Sequence, residues 1–330
     1  MNQKKLVSII IPIFNGEKYI AETISSVLLQ VYKTFEIIVV DDGSSDKSLE
    51  ILKKIQDNRI YVYNRPNFMP KGGNSCRNYG LEKCHGKYVI FLDSDDILEP
   101  FCLEQRVRYM ENNQHLDFAV FNMRNFTKNH NDGYVFTKLM VKNPLVHFLS
   151  YHVLWQTTAP IWKVSFLKKI GGFNLKYERL QDPELVSRAL LTDNVKWSLL
   201  PYSKPDALYR IFTSSQKGQK AYNALKQYIT DFIPYISDKE HEFKICFQSL
   251  FIHFSFFYYK YSSLNDMVEY ESIVKKLGKR VQHKYFIIYY LCKHRKLLQH
   301  MRHKNFQRLI GKCYSTYIEY IWHNYEKNKI

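Results

Sequence analysis

The chain has 330 residues, 45% hydrophobic and 24% charged, which is enough to bury a full core and excludes a low-complexity or disordered polypeptide. Its formal net charge of +17 favours an anionic partner such as a nucleotide, a nucleic acid or an acidic membrane surface. The six cysteines (Cys76, Cys84, Cys102, Cys246, Cys292 and Cys313) show neither C-x-x-C nor zinc-ligand spacing, so a disulfide framework and a zinc site are set aside in favour of scattered thiols in a reducing compartment.

Lys4 and Lys5 followed by Leu6 to Phe14 imitate the charged and apolar regions of a signal peptide, but no small-residue cleavage site follows and the run leads into an amphipathic pattern. Leu6 to Ile13 is therefore read as a first strand, apolar throughout as a strand buried on both faces requires. Between Glu17 and Gln30, Tyr19, Ile20, Ile24, Val27 and Leu28 recur at helical spacing. A second apolar run, Phe35 to Val40, stops at Asp41, Asp42 and Gly43, completing a strand, helix, strand unit of the kind that builds parallel sheets. Asp46 to Ile55 reads as a helix and Ile60 to Tyr63 as a short strand. Asn64 to Asn74 is a polar loop holding Lys71, Gly72 and Gly73, and Arg77 and Asn78 begin the next helix. Such a loop suits either a phosphate at a helix N-terminus or ordinary solvent exposure.

Tyr88 to Leu92 is the next apolar run, and it ends abruptly at Asp93, Ser94, Asp95 and Asp96. If that run is a buried strand, the three carboxylates arrive at the carboxyl edge of a sheet, where open α/β folds bind ligands, and they share that edge with Asp41 and Asp42. Carboxylates there suit a hard divalent cation that shares its ligands with substrate phosphates; the competing reading is a simple cap for the helix starting near Pro100. Phe101 to Met110 then reads as helix, Phe118 to Met123 as strand and Asn125 to Asp132 as turn. Strict alternation stops here, so Asn125 to Ala159 is expected to form a less regular half that receives a second substrate. Thr157 to Trp162 reads as a strand, Ser165 as the cap of a short helix ending at Gly171-Gly172, and Gln181-Asp182-Pro183-Glu184 as a helix start in which Asp182 alone could be an N-cap.

Taken in order, Val7 to Asn15, Asp41-Asp42-Gly43-Ser44, Arg77-Asn78, Gly86 to Asp96, Gly171-Gly172-Phe173 and Gln181-Asp182 with Arg188 make the chain resemble the family 2 glycosyltransferases over roughly residues 6 to 215. The resemblance implies a GT-A fold, that is, a Rossmann-like mixed α/β sheet flanked by helices, and an inverting transfer from a nucleotide-sugar, a UDP-sugar, assisted by Mn²⁺ or Mg²⁺. Carried over by position, Pro12 and Asn15 would line the nucleotide end, Asp42 would hold the uracil ring with Asp41 in support, and Arg77, with Lys71 nearby, would lie near the ribose or diphosphate. Asp93 looks like the ribose or sugar contact, Asp95 like the metal ligand, Asp96 like a third acid beside it, and Asp182 like the catalytic base. Arg210, following Tyr209, is placed near the diphosphate. Three departures stand out: Gln181 replaces the usual Glu before the base, Phe212 replaces a histidine often seen in the late loop, and the Gln/Arg-x-x-Arg-Trp motif of processive synthases is missing, which points to addition of a single sugar.

Residues 217 to 330 hold 20 Lys/Arg against 9 Asp/Glu, and Lys275 to Lys312 contains twelve basic residues and no acidic one. The chain is accordingly divided into a catalytic domain, 1–215, and a helical, basic, aromatic-rich extension, 216–330. The extension suits either docking on an anionic membrane surface through 275–312 or packing as a small bundle with a solvated basic side. No run of 18 apolar residues is present, so the expectation is a cytoplasmic enzyme, peripheral at the inner membrane face, that acts on a glycan or lipid-linked glycan. The alternatives are a nucleic-acid-associated protein, which no nucleic-acid-binding motif supports, and a catalytically silent scaffold.

Overall fold

The structure, a computed structural model, describes residues 5–127, 130, 132–211, 218–237, 243–261, 267–278, 312, 314–322 and 325. The chain divides into two compact units, one of 1–142 with 154–215 and one of 143–153 with 216–330.

The first unit opens as the hydrophobic pattern requires: β1 (Val7–Ile13), α1 (Ile20–Leu28), β2 (Phe35–Asp41), α2 (Ser48–Lys54), β3 (Ile60–Asn64), α3 (Gly73–Lys83) and β4 (Tyr88–Phe91). It continues with β5 (Ile97–Leu98), α4 (Cys102–Asn112), β6 (Phe118–Val120) and β7 (Met123–Phe126). The helix α5 (Pro144–Leu149) belongs to the second unit. The first unit resumes with β8 (Pro160–Lys163), α6 (Val164–Lys169), α7 (Gln181–Leu191), β9 (Trp197–Leu199) and β10 (Ala207–Arg210).

Seven strands form a mixed sheet in the order β3-β2-β1-β4-β8-β6-β9. The strands β3, β2, β1 and β4 run parallel, β8 is antiparallel to both β4 and β6, and β9 is parallel to β6. Every residue of β2 and β4 is buried, as a parallel sheet covered on both faces demands. The remaining strands make a smaller sheet, β5-β10-β7, with Ile97, Phe126 and Leu208 as its core.

Three expected elements differ. Phe118 to Met123 is not one strand: the chain leaves β6 at Phe121 and changes sheets, because the Asn122 side chain donates to the carbonyls of Pro201 and Ser203 and its backbone N–H to Ser203 Oγ. The helix α3 begins at Gly73, a turn before Arg77, after Gly72 at φ +137°. Arg77 and Asn78 thus project from its side rather than from its N-terminus. The short helix α6 starts after Lys163 without a side-chain cap, so Ser165 lies inside it, and it ends as expected at Gly171 and Gly172, whose φ of +82° and +64° a side chain would strain.

The second unit holds α5, α8 (Gly218–Ser237), α9 (Lys244–Tyr261) and α10 (Met267–Gly278). Buried Phe247, Phe251 and Phe254 lie on α9, Tyr222 of α8 stacks on Phe254 at 5.5 Å, and Ser249 Oγ donates to the Ser150 carbonyl just past α5. Residues 279–311, most of the basic segment, lie outside the described residues, as do Phe212, Ser214 and Ser215. Among the described residues no helix is long and apolar enough to cross a membrane.

The helix α3 lies close on the sheet at Gly80, where an added Cβ would stand 2.5 Å from Ile10 Cγ2 on β1. Ile10 is fully buried and cannot yield. Gly80→Ala is therefore expected to destabilise the fold by about 1–3 kcal/mol despite alanine's better helix propensity, read as a lower urea midpoint.

Candidate active site

The site forms where the parallel strands end. The loops after β1 and β2 are stapled together: Asn15, at φ 51°, donates its N–H to Ser44 Oγ and accepts from Ser45 N–H, Gly16 N–H donates to Ser48 Oγ, and Glu17 N–H donates to Asp46 Oδ2. Asn15 thus acts on the loop beside it. Asp41 does the same, its carboxylate accepting the N–H groups of Gly43 and Ser44 at 3.0 Å. Asp42 points elsewhere, to Arg65 Nε at 2.5 Å, while the Arg65 guanidinium also holds the carbonyls of Pro66 and Met69. This ties Asp42 to the loop that carries Lys71, whose ammonium lies 4.0 Å from the centre of the half-exposed Phe14 ring. Pro12, in register with Val40 inside the sheet, stands one pair before the edge.

The loop after β4 lies beside this one, for a Cβ on Gly16 would come within 3.4 Å of Ser94 Oγ. Thr23 Oγ1 of α1 donates to the Ser94 carbonyl. Beneath the two acidic clusters runs α3. Its buried Cys76 thiol is pushed up to about 12, by burial first and then by the Asp42 charge, with Arg65 and Arg77 opposing. Arg77 donates to Asp93 at 2.6 Å and to Gln181 Oε1 at 3.1 Å, joining the β4 loop to the start of α7. Asn78 fastens the same region by exchanging hydrogen bonds with the backbone of Phe173. Arg188 of α7 pairs with Glu184 and donates to the carbonyls of Ile170 and Gly172, so the Gly-Gly turn is held from both sides.

Asp182 occupies the first turn of α7, after Leu180 in a left-handed conformation, and does not cap the helix. Its carboxylate accepts from Thr157 Oγ1 and, at 3.2 Å, from Thr157 N–H. Burial raises its pKa, with the Asp93 charge adding to that effect and Arg77 and the Thr157 bonds opposing it. Tyr209 reports that the acids share one space: its phenol is pushed up to about 12 by burial and then by the charges of Asp96, Asp93, Asp95 and Asp182.

Arg210 lies behind the acidic loop. Its N–H donates to Asp96 Oδ1 at 3.0 Å, its Nε to the Asp95 carbonyl at 2.8 Å, and its guanidinium pairs with Glu22 at 2.5 Å between the rings of Tyr19 and Phe126. This geometry makes it a brace for the loop. Thr157 and Glu22 were not singled out by the sequence: Thr157 is indistinguishable from Thr158 beside it, and Glu22 reads as an ordinary acid in the first turn of a helix.

Among the described residues no three His, Cys, Asp or Glu side chains are arranged to hold a metal ion by themselves. The residues do fit a divalent cation that takes its other ligands from a phosphate. Asp93, Asp95 and Asp96 are crowded, Asp96 is 1% exposed, and its Oδ2 is buried with no hydrogen-bond partner. Burial, with Asp93 and Asp95 adding to it, holds the Asp96 carboxyl well above its ordinary range. Because the folded pKa exceeds the unfolded one, the folded state binds more protons in between and loses stability as pH rises through that window. In chelator-treated protein Asp96→Asn is expected to raise stability at neutral pH by about 0.5–2 kcal/mol, the usual range for one stabilising change. The gain should fade as pH falls toward the unfolded carboxylate value, read from urea unfolding at several pH values.

Residues 8–166 match the model described as "Glycosyl transferase family 2". An uncharacterized glycosyltransferase of Haemophilus influenzae is 43% identical over 110 residues, 33% of this chain and 43% of that protein. Glycosyltransferase GlyG of Streptococcus pneumoniae is 32% identical over 162 residues, 48% of this chain and 52% of that protein. The matched stretch therefore spans about half or less of these relatives' own length. In fold, the chain is similar to S. aureus TarS 1-349, solved in complex with UDP-GlcNAc, at a TM-score of 0.61 and 19% identity over 89% of this chain and 88% of that one. It is also similar to the mannosyltransferase PcManGT from Pyrobaculum calidifontis, solved with GDP-Man and Mn²⁺, at a TM-score of 0.54 and 14% identity over 96% of this chain and 86% of that one. The mixed sheet flanked by helices is similar in fold to that of these glycosyltransferases, and residues 8–166 are similar to glycosyl transferase family 2.

Proposed function

We propose that the chain moves one sugar from a UDP-sugar to a hydroxyl of a glycan or lipid-linked glycan, with inversion, from a catalytic domain spanning 1–215. The observation that carries this reading is the link that Arg77 makes between Asp93, in the loop after β4 and inside the family 2 match over residues 8–166, and Gln181 beside Asp182. A TarS structure with UDP-GlcNAc and a mannosyltransferase structure with GDP-Man and Mn²⁺ support a nucleotide-sugar donor and a divalent cation.

The residues divide the work. Asp42, oriented by Arg65, offers its remaining lone pairs to the N–H of a base, and the loop of Lys71 lies beside that position. Asp93 faces the ribose or sugar, and Asp95, with Asp96 beside it, would hold Mn²⁺ or Mg²⁺. When bound, the cation would offset negative charge on the leaving diphosphate as a Lewis acid. Arg77 stands between this side and the base. Asp182 takes the proton of the acceptor hydroxyl as the new bond forms. Its pKa, raised by burial, makes it a stronger base than an exposed carboxylate. The excess of basic residues in 217–330 supports an acceptor presented at an anionic surface.

The test is a screen of UDP-sugars with Mn²⁺ or Mg²⁺, following UDP release with and without glycan acceptors. Asp182→Asn is expected to lower transfer by about 10²–10⁴-fold while donor binding persists, and Asp95→Ala to abolish metal-dependent turnover. An α-linked donor should give a β-linked product; retained configuration, or no response to any UDP-sugar, would overturn the assignment.

A further inference from the structure

Resting on the assignment of Asp182 as base, the structure also shows what holds that base. Both carboxylate oxygens are engaged by one residue: Thr157 donates Oγ1–H to Oδ1 and its backbone N–H to Oδ2. Two donors on opposite oxygens fix the plane of a carboxylate that a single bond would let rotate, yet they take only part of its acceptor capacity and leave lone pairs for an incoming hydroxyl.

Thr157 is itself anchored. It is 7% exposed and lies in the turn before β8, closed by the bond from Ala159 N–H to the Gln156 carbonyl. The carbonyl of the next residue, Thr158, receives Arg106 NH1 at 2.7 Å, and Arg106 pairs with Asp206 at 2.6 Å with neither side chain exposed. The next link, Phe121 N–H to the Ala159 carbonyl, ties the turn to the end of β6. A buried ion pair of α4 and the segment before β10 therefore sets the position of Thr158, and through the shared backbone that of Thr157. Hydrogen bonds to an ionised carboxylate favour that form, so the same contact works against the burial that would keep Asp182 protonated.

We propose that Thr157 is a positioning residue for the catalytic base, holding Asp182 in orientation and in its ionised form. The Thr157 hydroxyl and N–H both donate to Asp182, so removal of the hydroxyl should act on the proton-accepting step and spare donor affinity. Thr157→Val keeps the shape and the backbone donor but removes the hydroxyl; Thr157→Ser keeps the hydroxyl; Thr157→Ala gives a second deletion should the valine variant fold poorly, with Tm checked for each.

The measurement is the pH dependence of kcat/KM, with kcat and donor KM, in the full chain with UDP-sugar and acceptor. With Thr157→Val, kcat is expected to fall about 10-fold or more with donor KM unchanged, and the acidic limb to move up by about one pH unit. Thr157→Ser should restore most of the rate and return the limb to its wild-type position. A valine or alanine variant with wild-type kcat and an unmoved acidic limb would overturn the proposal, as would a serine variant as impaired as valine. Asp182→Asn separates the two levels. If it keeps wild-type transfer, the base assignment falls and this inference with it; if it is inactive while the valine variant is unaffected, the role of Thr157 alone falls.

Discussion

The site depends first on strand direction. The strands β1, β2 and β4 lie side by side and parallel, with Ile13 opposite Asp41 and Ile10 opposite Phe91, so all of them end at one edge. Side chains that follow those ends are collected there without any long-range design beyond the register itself. The strand order supplies the crevice: β2 and β3 lie to one side of β1 and β4 to the other, so consecutive crossovers turn opposite ways and leave a gap between the loops. Because side chains alternate between the faces, slipping β4 by one residue would reverse which face each of its buried residues meets. The fully buried β4 makes that slip prohibitive.

Gathering carboxylates at one edge creates a repulsion that the surrounding groups divide among themselves. Arg65 takes Asp42, Arg77 takes Asp93, and the backbone N–H of Arg210 supports Asp96. Arg77 does more than neutralise, since its second bond reaches Gln181 beside Asp182. One guanidinium thus links Asp93, after β4, with the start of α7, which bears Asp182. Gln181 matters here: a neutral amide accepts the Arg77 hydrogen bond without matching its charge, so more of that charge is left to act on Asp93 and Asp182. The buried Arg77 Nε has no partner, which marks a group held for position rather than for its own satisfaction.

Burial pushes the carboxyls of Asp96 and Asp182 above their ordinary range. An ionised carboxylate in such a place lowers fold stability, and a packed core elsewhere must offset it. The close seat of α3 on β1 at Gly80 and the fully buried Arg106–Asp206 pair show where that rigidity lies.

The sequence by itself determined the parallel half of the sheet and the acidic stops at its edge. Continuous apolar runs ending at Asp41-Asp42 and at Asp93 to Asp96 are local patterns, and burial on both faces leaves them few alternatives. It also marked Asp182 at a helix start through Pro183 and Glu184. Only the tertiary structure decided which of these residues face one another and which serve as staples. Asn15 and Asp41 bond their neighbouring loops, Arg210 braces the acidic loop from behind, and Thr157 clamps Asp182 across 25 positions of chain. Apart from the local bonds of Asp41, such contacts join residues that are distant in sequence and carry no periodicity, so no run of residue types announces them. The break at Asn122, which moves the chain from one sheet to the other, was hidden for the same reason: its partners, Pro201 and Ser203, arrive some eighty residues later.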